Sequence, residues 1–517
     1  MTFSGLVECF GSFWRTNDLN ILRREGKNLR MKIEKYKEIA IKFGISLSML
    51  LIFWGGMLRK SFNADTLGHM FSRDADIAWR IADGRYVIAL VDTTLLKLGI
   101  RTTDNLSVFM LFTFLIFAMA MVVVQKIFVP WQPEEQWERI GYFCSVNLVF
   151  LNTLFAEILM FSEMSVYFAL GYLLAAVGVD KFVQKKYTSM ILLFAAAVCT
   201  YQFTMIFAAI LIAFHICLKY REELNFKAVI EEIVGIIACM GLGILNYLSI
   251  RLLKIFGIID HANKSVGWEI NTQKMTVLKK SLISLFKNGH EIFPNLWIPL
   301  LFVLILFLII TYSCVKDRTV KKIPFIVIVF WGSMALIYSL PMIQSELYFP
   351  PRMAFCFYLI QGMLAVTAYA LSRKEVRRLL TFVCVGYLMV QLLFSDFIVT
   401  NHFVSNTLDE VYANMMYQEV LKYEEETGNM VTKMAIYKDD YAPDRYEEIS
   451  FHTDQINEKV LGIVSKSLVW KVTGREFDKI DPLDDIYEKY FKGKDWDYFD
   501  LSEQLVIIDD TAHWCIF

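Results

Sequence analysis

SFNADTLGHMFSRDADIAWRIADGRYVIALVDTTLLKLGIRTTD, residues 61–104, lies between two long apolar runs and is too polar to cross a bilayer. It carries Asp65, Asp74, Asp76, Asp83 and Asp92, with His69, Arg73, Arg80 and Arg85 among them. From Phe71 onward Ala75, Ala78 and Ala82 recur at helical spacing beside Trp79 and Ile81, while Asp76, Arg80 and Asp83 fall at i, i+4 and i+7. The pattern predicts an amphipathic helix lying in the membrane interface. Gly84-Arg85 ends it, and Tyr86 to Leu98 offers a second interfacial helix. Acids and bases pressed against a membrane suit chemistry on a lipid-linked, phosphate-bearing substrate; a solvated connector is the plain alternative.

The flanks of this loop define the class. Of 517 residues 56% are hydrophobic and the mean hydropathy is +0.44, against roughly 45–50% apolar in soluble domains. About eleven apolar runs approach the length that spans a bilayer: 41–58, 107–129, 139–157, 164–180, 188–200, 203–218, 228–256, 296–313, 323–341, 353–371 and 377–399. The expected fold is mainly α, a polytopic transmembrane bundle. Arg23, Arg24, Lys27, Arg30, Lys32, Lys35 and Lys37 precede the first run, which places the basic segment 1–40 in the cytoplasm. Arg139, Lys181, Lys185, Lys186, Lys219, Arg221, Lys316, Arg318, Lys321, Lys322, Arg373 and Lys374 then mark the inner loops. The loop 59–106 and the tail from about 400 fall outside. No signal-peptide cleavage site is evident, and Met31 opens an ordinary membrane-protein start, so residues 1–30 are expected to come from an upstream start wrongly assigned.

Residues 41–399 thus read as the membrane domain and 400–517 as a small extracytoplasmic α/β domain. In the tail 434–438, 467–472 and 504–509 read as strands, and 408–423 and 486–491 as helices. The net charge of −1 suggests no nucleic-acid partner. Seven of nine cysteines sit in or beside apolar runs and read as small buried hydrophobes.

Four features share the expected outer face: the acidic loop, the turn bracketed by Glu157 and Glu163, Thr200-Tyr201-Gln202, and Tyr348-Phe349-Pro350-Pro351-Arg352. Asp65 is the first candidate for a general base, or else the N-cap of the helix after it. Asp76 and Asp74 follow, or else decorate an exposed helix face. Asp74-x-Asp76 could hold a divalent cation weakly; no residue cluster has metal-site spacing. Glu163 reads as a second acid or a metal or acceptor contact, or as a charge complementing a helix N-terminus. Arg85 and Arg352 suit a phosphate, or snorkel to lipid headgroups. Tyr201 and Gln202 contact substrate or anchor the interface. His69 could assist with phosphate, and Arg80 stands beside it in the same loop. Asn246 and Arg251 lie within or near an apolar run, Arg251 close enough to its end to snorkel.

The order of these features resembles the bacterial membrane glucosyl transferase (Gtr) family of O-antigen modification. Asn63-Ala64-Asp65, Trp79, Gly84-Arg85, Tyr201-Gln202 and Pro351-Arg352 carry the resemblance. The family's acidic doublet is Ala64-Asp65 here, and Tyr86 stands where Pro would follow Gly-Arg. The resemblance implies a GT-C-like glycosyltransferase of the bacterial cytoplasmic membrane. It implies a polyprenyl-phosphate-sugar donor, glucose by default, a cell-surface glycan acceptor, and a donor synthase and flippase as partners. Trp79, Arg80, Arg85, His69, Tyr201, Gln202 and Arg352 become substrate-binding candidates, with no certain cofactor. A carboxylate would take the acceptor proton, and arginines would hold the leaving phosphate. A lipid-linked-sugar flippase or a polysaccharide polymerase or ligase is the alternative. The first would show internal repeats and deep charges, the second a large arginine-bearing loop late in the chain.

Overall fold

A computed structural model of the chain describes residues 19–71, 75–220, 226–259, 271–342, 348–438, 456, 460–494, 496 and 499–516. Among them α1 is Leu19–Trp54, α2 Ala64–Phe71, α3 Ala75–Ala82, α4 Tyr86–Lys97, α5 Leu106–Phe128 and α6 Gln136–Asn147. Next come α7 Ala156–Met160, α8 Ser165–Val183, α9 Tyr187–Val198, α10 Thr204–Lys219, α11 Phe226–Ile255, α12 Thr272–Asn288, α13 Ile298–Lys316 and α14 Lys322–Met342. The short α15 is Pro351–Ala354, followed by α16 Cys356–Leu371 and α17 Lys374–Thr427. The remainder is β1 Lys433–Lys438, α18 Leu461–Thr473, β2 Asp478–Ile480, α19 Asp484–Ile486, α20 Leu501–Gln504, β3 Leu505–Ile508 and β4 Thr511–Ile516.

Eight helices among the described residues are long and apolar enough to cross a membrane. They coincide with eight of the eleven apolar runs. The other three, at 139–157, 188–200 and 203–218, form shorter helices, and two of these have clear physical reasons. α10 is buried over nearly its whole length, as is α16, so both are apolar on every side and form the centre of the bundle. The run 139–157 is broken between α6 and α7. There the Asn152 side chain accepts from the backbone N–H of Leu154 (3.1 Å) and Phe155 (3.3 Å), and Gln391 Oε1 accepts from Thr153 N (3.1 Å). Irregular backbone inside a bundle persists only where its polar groups are paired in this way. At Gly362 a Cβ would collide with the Ser145 carbonyl oxygen, so α16 and α6 approach backbone to backbone.

α17 runs 54 residues without interruption. Its buried residues Gln391, Ser395, Ile398, His402, Ser405, Asp409, Ala413, Met416 and Val420 keep three- and four-residue spacing throughout. The stripe passes residue 400 unbroken, although the composition turns polar there. At about 1.5 Å per residue the helix is roughly 80 Å long, well over twice a hydrocarbon core. It carries the membrane bundle into the tail as one rod, ending at Gly428 in the left-handed conformation.

The tail builds a four-stranded sheet in the order β2-β1-β4-β3, with β1 parallel to β2 and β4 and β3 antiparallel to β4. Strands expected at 434–438 and 504–509 are present as β1 and β3. Residues 467–472, expected as a strand, instead lie in α18. The β-branched residues there suggest extended chain, but Leu461, Ser465, Leu468 and Val469 are buried at helical spacing. Asp409 accepts from the first backbone amides of this stretch, Val460 N (2.9 Å) and Leu461 N (3.2 Å). β4, buried along its length, was not apparent from the sequence.

The loop 61–104 is not a free connector. Phe62 and Leu67 are buried in the same cluster as Met416, Val420, Leu468 and Trp514 of the tail. Asn406 on α17 accepts from Phe62 N and donates to Phe62 O, both at 3.0 Å, and the Lys471 ammonium lies 4.0 Å from the Phe62 ring centroid. Asn406→Ala orphans two buried backbone groups at about 1–3 kcal/mol each. A lowered melting temperature in detergent, with faster proteolysis in 59–71, is the expected outcome; an unchanged melt contradicts the docking.

Candidate functional site

The turn AEILMFSE, residues 156–163, sends two carboxylates into two clusters. Glu163 is buried at 1% exposure and accepts from Thr66 Oγ1 at 2.5 Å. Thr66 is placed by Asn63, whose Oδ1 accepts from both Thr66 N and Thr66 Oγ1 at 2.8 Å. Asn63 therefore caps α2, the part that is the alternative to a general base for Asp65, and Asp65 stands exposed in the first turn. Among the described residues Glu163 lines one cavity with His69, Arg80, Asp92 and Arg101. Arg80 Nε lies 3.6 Å from Asp92 Oδ2, and Tyr167 OH donates to Asp92 Oδ1. Arg101 Nη2 donates to the carbonyls of His69 (3.3 Å) and Met70 (3.0 Å) at the end of α2. Burial pushes the Glu163 carboxyl above the usual carboxylate range, opposed by His69, the Thr66 hydrogen bond and Arg80. Among the described residues its Oε1 accepts no hydrogen bond.

The two helices expected here are present as α3 and α4, but α3 is turned the other way from a helix at a water surface. Arg80 is 6% exposed and Trp79 51%. The arginine turns toward the carboxylates of Asp92 and Glu163 and the indole turns outward.

Glu157, fully buried, organises the second cluster. Arg352 donates to it from both Nη1 and its backbone N–H, and from Nη2 to Tyr348 OH at 2.9 Å. The guanidinium also lies 5.0 Å from the Phe161 ring centroid. Tyr201 packs on Phe168 at 4.6 Å, within electrostatic reach of Arg352, Arg85 and Glu157, and burial pushes its hydroxyl up to about 12. Arg85 pairs with Asp83 at 3.3 Å.

Gly84 explains why Gly-Arg and Tyr-Gln accompany each other. It has φ +73°, and a Cβ would meet Asn246 Oδ1 and Ile250 Cδ1 at 2.8 Å. Asn246 Nδ2 donates to Gly84 O (2.8 Å), Gln202 Nε2 to Asp83 O (2.5 Å), and Val87 N to Cys199 O (3.1 Å). Gln202 and Asn246 thus clamp the α3–α4 turn onto the α9–α10 turn and α11. Arg251 is exposed and donates to Tyr247 OH at 2.6 Å.

Of the expected site residues, Glu163, His69 and Arg80 share one cavity, and Arg85, Tyr201 and Arg352 form a second group beside it. Asp65 and Trp79 are exposed, outside the cavity lining. Asp74 and the side chain of Asp76 lie outside the described residues. Among the described residues no group of three or more His, Cys, Asp or Glu could hold a metal. Thr66, Asp92, Arg101, Tyr167 and the pairing role of Glu157 emerge only from the structure. A hint was present in Glu157, six residues before Glu163 in an otherwise apolar turn.

A bundle of apolar helices with charged clusters buried beneath short helices at one end defines a polytopic membrane protein with a polar cavity. The chain belongs to the glucosyl transferase GtrII family, whose sequence profile matches residues 56–369, more than half of its length. It is a membrane glycosyltransferase. No curated protein and no solved structure gives a significant match.

The two glutamates should respond oppositely to neutralisation. Glu157→Gln leaves a largely buried Arg352 without its anion, a loss of about 3 kcal/mol, seen as a lower melting temperature. Glu163 has a raised folded pKa, so its contribution to stability is full below the unfolded value near 4.3 and is lost as pH rises through the folded value. Glu163→Gln removes that loss, so its melting temperature at pH 7 should equal or exceed wild type and its pH dependence flatten above about pH 4.3.

Proposed function

We propose that the protein transfers a sugar, glucose by default, from a polyprenyl-phosphate carrier to a cell-surface glycan at the extracytoplasmic face of the bacterial cytoplasmic membrane. The observation that carries this reading is the Glu163 cavity. A buried carboxylate with one oxygen held by Thr66 and the other unbonded among the described residues lines a cavity with two arginines and a histidine. In such a transfer the acceptor hydroxyl loses a proton as it attacks the anomeric carbon, and the phosphate leaves without a strong general acid. Glu163 takes the proton through Oε1; its raised pKa brings it nearer the working pH than an exposed carboxylate. Arg80 and Arg101 hold the departing phosphate, with His69 beside them. Asp92, held by Tyr167, keeps Arg80 in place.

An apolar groove of about 710 Å³ supports a lipid donor. It runs between α3–α4 and α11, lined by Ile81, Leu90, Leu252 and Phe256, and Ile77 lines both it and the Glu163 cavity. A polyprenyl chain in this groove brings its phosphate to Arg80. The cavity itself is about 40 Å³, room for water rather than a sugar ring. The donor sugar enters as α3 and α4 part from α2 and α8. Glu157 and Arg352 hold the frame around that opening, and Arg85 and Tyr201 stand toward the substrate.

The test is transfer of label from polyprenyl-phosphate glucose to cell-envelope glycan by proteoliposomes. Glu163→Gln should lose about 10²–10⁴ of the rate, the usual contribution of a general base, at normal abundance, while Asp65→Asn stays within a few-fold of wild type. The wild-type rate should show an acid limb above the ordinary carboxylate range. Loss in Asp65→Asn with activity retained in Glu163→Gln moves the base to Asp65. Label crossing the bilayer without reaching glycan makes the protein a transporter.

A further inference from the structure

The opposite end of the bundle carries a groove of about 530 Å³ between the end of α10, the α13–α14 turn and the end of α16. Its inner wall is apolar, formed by Leu218, Phe325, Ile326 and Leu371. Its rim holds Arg318, Lys321 and Lys322. The one carboxylate in that turn, Asp317, is taken by Arg373, the residue before α17, whose Nη2 and Nε lie 2.5 and 2.9 Å from Oδ1. Among the described residues none of the three rim cations has a carboxylate partner. Arg318 sits at φ +54°, in the left-handed region that a non-glycine residue adopts at a cost, and the turn is closed by Thr319 N donating to Cys314 O at 2.7 Å. The positive end of the 21-residue α14 adds to the same potential.

α13, α14 and α16 are long and apolar enough to cross a membrane, and a groove at their ends then falls at the membrane surface, with cations at its rim and its apolar wall toward the bilayer. We infer that it binds an anionic glycerophospholipid, the phosphate among Arg318, Lys321 and Lys322 and an acyl chain against Leu218, Phe325 and Leu371. A soluble phosphate compound would use the rim and leave the apolar wall wet. A zwitterionic lipid would bring its own cation against the three already there. The site stands apart from the Glu163 cavity and does not depend on the reaction proposed for it.

Native mass spectrometry of the full-length protein in neutral detergent tests this, with phosphatidylglycerol and phosphatidylcholine titrated separately. Wild type should retain one phosphatidylglycerol at least tenfold more tightly than phosphatidylcholine. The variant R318A/K321A/K322A should lose that preference while melting as wild type does in phosphatidylcholine. Val320→Glu, at an exposed position on the same rim, should lose it too and carries the test if the triple variant does not fold. Equal binding of the two lipids by wild type, or an undiminished preference in Val320→Glu, overturns the proposal. So does displacement of phosphatidylglycerol by glycerol 3-phosphate at equal concentration, which would make this a soluble-phosphate site.

Discussion

Two carboxylates buried in a single eight-residue turn constrain much of this molecule. An ionised carboxylate out of water is costly unless cations or hydrogen-bond donors replace its hydration. Glu157 draws in the Arg352 side chain and the backbone amide at the start of α15. Glu163 draws in Thr66 from α2, with His69 and Arg80 near enough to oppose the effect of burial. Segments near 61–104, 156–163 and 348–352 therefore meet at one end of the bundle. The partners differ in kind, and so do the consequences. Glu157 is neutralised by a guanidinium and becomes structural. Glu163 has one oxygen held by Thr66 and the other without a hydrogen bond among the described residues.

The tail is tied to this arrangement. The stripe of buried residues on α17 passes from the bundle into the tail core, and Asn406 on that stripe grips the backbone of Phe62. Four residues on, Thr66 reaches Glu163. The route from the tail to the Glu163 cavity is thus one short helix, α2, fixed on one side by Leu67 in the tail core and on the other by Thr66. Such a linkage makes the packing of the tail a condition for the placement of Glu163.

Buried carboxylates account for the orientation of α3. Polar residues at helical spacing would face water on an isolated amphipathic helix, but here Arg80 turns inward because Asp92 and Glu163 lie there. The two ends of the bundle also use arginine and lysine differently. At the loop end Arg80, Arg85 and Arg352 face carboxylates within 4 Å. At the other end Asp317 is consumed by Arg373, leaving Arg318, Lys321 and Lys322 without an anion among the described residues.

Apolar run length and the order of short motifs made the membrane class, the family and eight spanning helices legible in the sequence, because bilayer thickness sets run length and helical period sets the spacing of α3 and α4. β1 and β3 were legible for a similar local reason. Tertiary structure decided what local pattern does not encode. The run 139–157 breaks because Asn152 and Gln391 satisfy its freed backbone groups. Residues 467–472 are helical because their buried faces match α17 and the sheet. Asn63, and not Asp65, caps α2, since its side chain reaches Thr66. Glu163 is set apart from the other acids by burial, a property of the packed chain that no residue carries in isolation.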